Sequence, residues 1–541
     1  MRRYHWATAG DLNAFFGLML DNIAMMVLLV SLLVGGFGFD VNFALSYMIP
    51  GTALGVMVGD LAFTAMAFRL ARQSGRSDVT AMPLGIDTPS TFGSVLFVIG
   101  PAFLWASKEF PDPHQAALYA WRIGVCTLII SGIFKMACAL ISNWIRRNVP
   151  RAGLLGSLAA IALVLISFMP LLEVAHLPVV GYTALAVILT TLIARLPLPG
   201  RTPGALGALL VGTVIFYAMR WTGTLGLEAE ALAIPGLEPS FGMLLPKFSL
   251  DWISVLGDSL KYLPVVFPFA LGTIIGGIDC TESAAAAGDE YHTGAIIATE
   301  GVATLIAGLC GGVIQTTPYI GHPAYKAMGG RAAYTLATAI FIGGAGMFGY
   351  FSHIYAIIPK PAMFPILIFI GLEITAQSYR ATPKRHYAAV ALACAPALAF
   401  LAMTFVDEVL VAVNTTLDDL PSALSVKLYT LRILSAGFIV TSLLWSSALA
   451  LLIDRRLIAA AVVFGTAAVC SFFGVIHSPL PGGPIILPWN DYHWTPAMAT
   501  QTPYHIASAY AVVAGLLLAW NATIPWKDRT LPSAEDRDGG R

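Results

Sequence analysis

Two carboxylates and a hydroxyl, Asp279, Glu282 and Ser283, stand at i, i+3 and i+4 in the apolar stretch G-G-I-D-C-T-E-S-A-A-A-A-G, residues 276–288. On a helix this spacing places all three on one face. The alanines that follow give a small-residue surface that a second helix or a planar ligand can approach closely. Acids at membrane depth are costly and mark sites where a substrate or a proton is handled, so Asp279 and Glu282 are the first candidates for both roles. For Glu282, pairing with a buried cation or capping a loop is the structural alternative.

Two further stretches carry the other candidates. Residues 80–93 read T-A-M-P-L-G-I-D-T-P-S-T-F-G, and residues 316–325 read T-T-P-Y-I-G-H-P-A-Y. Each runs Thr, Pro, Gly, a polar residue, then Pro. An extended segment is expected to lead into a helix whose first turn holds Pro89 or Pro323, where a missing N–H does no harm. Extended backbone inside a bilayer must find partners within the protein, so the two stretches are expected to pair with each other. The helix starts that follow, at Asp87 and Thr88 and at Tyr319, Ile320, Gly321 and His322, would offer free N–H groups and a positive dipole end to an electronegative ligand atom. Asp87 and Thr88 also read as a helix cap, which does not exclude ligand contact. Asp21 and Asn22, inside the first apolar segment, would support the site from a neighbouring helix, or Asn22 would only hydrogen-bond across helices. Asp60 is similar. Glu300, Glu373 and Gln377 are weaker candidates for the same site, since each is also read as lying close to a membrane surface.

The elements that must position these residues follow from composition. Of 541 residues, 57% are hydrophobic and 11% charged, with a mean hydropathy of +0.77, far from the roughly 25% charged of soluble domains. With about twenty residues per crossing, apolar segments fall near 14–36, 44–69, 89–106, 118–142, 152–169, 176–195 and 203–220, and then near 262–287, 294–312, 318–328, 334–357, 362–378, 385–406 and 429–453. Two more lie near 457–476 and 504–522. Basic residues cluster in alternate short loops, which predicts both termini in the cytoplasm. An odd count per half implies inverted repeats, with a site near the midplane between two discontinuous helices. The fold expected is an all-α polytopic membrane protein of two inverted seven-segment repeats, with short strands before the broken third and tenth helices and an extra C-terminal pair.

Other chemistries find no support. The six cysteines stand singly in apolar segments, without disulfide or zinc spacing. The N-terminus lacks a signal-peptide pattern. No Walker A, H-E-x-x-H or G-x-S-x-G sequence occurs, so no cofactor, metal or catalysis is expected, and no basic patch points to nucleic acid.

The acid-bearing eighth segment, T-E-G-V-A-T-L-I-A-G-L-C-G-G at 299–312 and Q-T-T-P-Y-I-G at 315–321 together resemble the xanthine/uracil permeases, the nucleobase/ascorbate transporters, in the style of their hypoxanthine/guanine-type branch. The resemblance covers fourteen segments in architecture and residues 80–93 and 274–330 in motif. It implies the uracil-transporter-like fold, a core moving against a gate, a possible homodimer, and a substrate-binding acid at Asp279 with a second polar contact at Glu282 or Ser283. The chain departs from the pattern in the tenth segment, where Gly321 and then His322 stand in place of a second acid or amide.

The expected organisation is a core of residues 1–145 and 261–358, a gate of 146–222 and 359–455, an external loop at 223–260, an extra pair at 456–526 and a cytoplasmic tail at 527–541. The expected function is proton-coupled passage of a nucleobase-like or other small planar polar solute across a bacterial inner membrane. A sulfate- or bicarbonate-like anion transporter on the same fold is the alternative, which a basic residue at the site would favour and two acids disfavour. A membrane enzyme or receptor would need clustered catalytic residues at 223–252 or 477–503, where only Trp, Pro and scattered His stand.

Overall fold

The computed structural model describes residues 4–148, 150–225, 241–319, 321–413, 415–480 and 502–524, with isolated positions at 237, 239, 486, 492, 494, 495 and 498; the side chains of 141–148, 201, 268, 279, 282, 286, 411 and 412 fall outside the description. Each expected apolar segment coincides with a helix. These are α1 (Gly10–Phe37), α2 (Val41–Ser74), α3 (Thr88–Glu109), α4 (Pro113–Asn148), α5 (Arg151–His176), α6 (Pro178–Ile193) and α7 (Gly204–Trp221). The second series is α8 (Leu263–Ala286), α9 (Thr293–Leu309), α10 (His322–Ala327), α11 (Ala333–Met347), α12 (Lys360–Arg380), α13 (Tyr387–Ala412), α14 (Ser422–Ser435), α15 (Leu457–Phe472) and α16 (Pro503–Thr523). Among the described residues, nine helices are long and apolar enough to cross a membrane, and three bent pairs raise this to twelve. The chain is a multi-pass integral membrane protein of all-α class.

Two segments expected to be single crossings are sharply bent. α11 turns by 88° into Phe351–Ile357, and α14 by 75° into Phe438–Ile453. The breaks fall at glycines with left-handed backbone, Gly349 (φ 73°) and Gly437 (φ 66°). A Cβ on Gly437 would also lie 2.2 Å from the Val475 carbonyl oxygen. Apolar content alone does not reveal such bends, because a helix broken by one glycine keeps its hydropathy.

The only strands among the described residues are β1 (Leu84–Ile86) and β2 (Thr316–Pro318). They pair antiparallel in the register Leu84↔Pro318, Gly85↔Thr317 and Ile86↔Thr316. The expected pairing of the two Pro/Gly stretches is present. Contacts group the chain into two units, Met1–Ile145 with Ile166–Ile370, and Arg146–Leu165 with Gly371–Arg541. The first holds the ribbon and both broken segments. In the second, α13 and the helix Phe438–Ile453 pack on the start of α5, where the Ser446 hydroxyl donates to the Ala152 carbonyl at 2.6 Å.

Candidate functional site

The β1–β2 ribbon is buried on both sides, so its unpaired edges must be satisfied by side chains. Four transmembrane helices do this. On the β1 edge the Leu84 amide donates to Asp60 Oδ1 of α2 and the Ile86 amide to Asn22 Oδ1 of α1, both at 3.0 Å. On the β2 edge Lys135 Nζ of α4 donates to the Thr316 carbonyl at 3.0 Å, and the Thr316 amide faces Thr304 Oγ1 of α9 at 3.4 Å. Pro318 has no N–H to place, which suits an edge.

Antiparallel pairing makes the chain leave the ribbon at opposite ends. The Asp87 amide donates to the Gln315 carbonyl (2.9 Å) and the Tyr319 amide to the Pro83 carbonyl (2.8 Å), which extends the ladder by one residue each way. At the first exit α3 starts with Asp87 as its cap: the carboxylate accepts from the Ser90 amide at 2.7 Å, and Pro89 sits in the first turn. Thr88 is buried beside it. At the second exit α10 begins at His322 with Pro323 in its first turn, but it is only six residues long. A helix this short carries little of the dipole that a full helix offers, so the two starts are not equivalent.

His322 and its surroundings form a separate polar cluster. Its Nε2 lies 3.3 Å from Asp289 Oδ2 and 3.2 Å from the Thr80 carbonyl. Asp289 also meets Lys326 Nζ at 2.6 Å and Arg76 at 3.1 Å, and accepts from the Thr80 amide at 3.0 Å. The Tyr291 hydroxyl donates to the Thr80 carbonyl at 2.6 Å. Sequence spacing gave no sign of Asp289, which is drawn in by the loop between α8 and α9. Burial pushes the Asp289 carboxyl up, but hydrogen bonds from His322, Lys326 and the Thr80 amide outweigh this and hold it below its ordinary value of 3.8. A depressed carboxyl contributes stability that is complete above the unfolded value and is lost as pH falls through the folded one. Asp289→Asn is therefore expected to melt below wild type at neutral pH, with a gap that closes only below pH 3.8. Melting curves in detergent across the acid range check this; no gap at neutral pH would count against it.

Asp21 is buried beside Gly85 of β1, and its Oδ1 has no hydrogen-bond partner among the described residues. Tyr319 stacks on Tyr325 with ring centres 6.2 Å apart. Gly321 packs against the rings of Tyr319 and Tyr325, and Ser283 is half-buried on α8. Asp279 and Glu282 lie on α8, but their side chains, and the whole of Ile320, lie outside the described residues.

The largest departure from the sequence reading is Glu300. Expected near a membrane surface, it is instead fully buried, with its Oε1 2.7 Å from Lys135 Nζ, which is also sealed from solvent. Lys135 was not among the expected residues. Its signal was a lone lysine inside the apolar run of residues 123–140, a position that demands a partner. One turn before it, Ser131 donates to the Gln315 side chain at 2.8 Å. Ser131 and Gln315 line a narrow cavity of about 10 Å³ with Ser94, Thr127, Gly93 and Phe269. Gly93 is required there, since a Cβ would lie 2.2 Å from the Phe269 ring.

No protein-family model matches the chain, and no curated protein matches it. Among solved structures it is similar to the transmembrane domain of BicA, a bicarbonate transporter of a cyanobacterium, with 17% identity over 69% of this chain and 91% of that one, and a TM-score of 0.45. It is also similar to SLC26A9, with 10% identity over 71% of this chain and a TM-score of 0.48; it spans 61% of that chain.

Proposed function

We propose that the chain is a secondary active permease for a nucleobase-like or other small planar polar solute, moved by alternating access with protons as the coupling ion. The observation that carries this reading is the antiparallel ribbon inside an apolar helix array, followed on each strand by a helix start. Irregular backbone at membrane depth is tolerated only where it is enclosed by protein or lines a pathway, and it is where transporters hold their cargo. The motif resemblance to xanthine/uracil permeases supports the substrate class. In this reading Asp279, Glu282 and Ser283 contact substrate from α8, with Asp279 and Glu282 exchanging protons. Asp87, Thr88, Tyr319, Ile320, Gly321 and His322 shape the facing side, and Asp21 and Asn22 support it. A core of 1–145 and 261–358 rocks against a gate of 146–222 and 359–455. A homodimer in a bacterial inner membrane with both termini cytoplasmic belongs to the same proposal.

The anion-transporter reading is favoured by one observation, the buried Lys135 on the β2 edge of the ribbon. Its charge is already met by Glu300 at 2.7 Å, which leaves little for a substrate anion.

Uptake of labelled xanthine, hypoxanthine and uracil into cells, against bicarbonate and sulfate and with a proton uncoupler, tests the choice. Uncoupler-sensitive accumulation of a nucleobase is expected, and accumulation of only the anions would transfer the function to the second reading. Asp87→Asn keeps a cap acceptor whereas Asp87→Ala loses it, at about 0.5–2 kcal/mol. If Asp87 also contacts cargo, the Asn variant melts like wild type yet loses uptake. Wild-type uptake by Asp87→Asn would leave the residue a cap alone.

A further inference from the structure

We infer that the Lys135 ammonium fills a small-cation site beside the ribbon, so that this chain works without sodium. For its transport consequence the inference rests on the permease reading above. Around Nζ stand the Glu300 carboxylate at 2.7 Å and the Thr316 backbone carbonyl at 3.0 Å. Thr273 sits beside the same carboxylate, and Asp87 is near enough for its charge to act there. This surrounding set is all oxygen: carboxylate, hydroxyl and a carbonyl from a broken segment. Such donors suit a hard cation, and interrupted backbone of this kind is where transporters coordinate sodium or a proton.

The donors are also incompletely used. Both Glu300 oxygens are buried and have no aligned hydrogen bond among the described residues, so the ammonium charge is their main compensation. Removing the amine would leave a sealed carboxylate, a carbonyl and the space of a lysine side chain. A desolvated charge in that position demands a counter-ion. A sodium ion carries the same charge as the lost ammonium and takes the same oxygens. Five elements, α3, α4, α8, α9 and β2, meet here. The amine therefore stands as a fixed cation at the junction of the broken segment with the helices around it, and it holds that junction shut to sodium.

The test uses the full-length purified protein and radioactive sodium. Wild type is expected to bind no ²²Na⁺ saturably and to melt at the same temperature in sodium and choline chloride. Lys135→Ala is expected to gain saturable binding of one ion per chain and a higher melting temperature in sodium. Lys135→Ala/Glu300→Gln is expected to lose both. If Lys135→Ala is recovered only in sodium buffer, that rescue supports the site; if it is recovered in neither, Lys135→Thr, which keeps a hydroxyl donor, decides in its place. Saturable sodium binding by wild type that Glu300→Gln abolishes, or folded position-135 variants that ignore sodium, would overturn the inference. These readouts need no substrate. Failure of every uptake assay would count against the permease reading and leave the binding result standing, whereas sodium-dependent uptake by wild type would count against the inference and against protons as the coupling ion, and leave the permease reading itself standing.

Discussion

Lys135→Met is expected to lower stability by about 3–5 kcal/mol, because it leaves the Glu300 carboxylate buried without its counter-charge. Both side chains are fully sealed, and their charged atoms are 2.7 Å apart. The same substitution removes the donor to the Thr316 carbonyl, which opens one edge of the ribbon. Glu300→Gln removes the other half of the pair and strands the ammonium, so its cost should be of the same order. The double variant, Lys135→Met/Glu300→Gln, removes both charges and is expected to recover most of the loss, since replacing a buried ion pair by neutral groups of similar size is often nearly neutral. Reversible unfolding in detergent, measured for all four proteins in sodium-free buffer, gives the cycle. Strictly additive losses would show that the two residues do not act as a pair.

The second large effect concerns the opposite edge. Asp60→Ala and Asn22→Ala leave the Leu84 and Ile86 amides without acceptors inside the protein. An orphaned buried donor costs about 1–3 kcal/mol, and here both fall on a strand of three residues. The expected result is a loosened β1, seen as faster amide exchange at residues 84–86 by mass spectrometry, together with lost uptake. Asp60→Asn keeps an acceptor oxygen and should protect the strand. If Asp60→Asn exchanges as fast as Asp60→Ala, the side chain's role is not that of an edge acceptor.

These effects locate where sequence and tertiary structure each decide. The sixteen apolar segments were legible because length and hydropathy are local quantities that a bilayer imposes on each crossing separately. The ribbon was legible for a related reason: Thr80 to Gly93 and Thr316 to Tyr325 each carry their own Pro and Gly, and extended backbone at membrane depth has few partners other than its counterpart. Asp87 as a cap, with Pro89 behind it, needs only four neighbouring residues to be recognised.

What the sequence left open depends on which faces of distant helices meet. Lys135 reaches a carbonyl 181 positions away, and Glu300 becomes its partner only because α4 and α9 present those faces to each other. Nothing local distinguishes an acid bound for a surface from one bound for a buried ammonium. His322 similarly turns to Asp289 because a loop folds back over α10, an event that spacing along the chain does not encode. The sequence by itself determined that this protein crosses a membrane many times around one broken, antiparallel centre. The tertiary structure alone decided that the centre is closed on one edge by Asn22 and Asp60 and on the other by a lysine, because charge pairing in a low-dielectric interior is satisfied across space rather than along the chain.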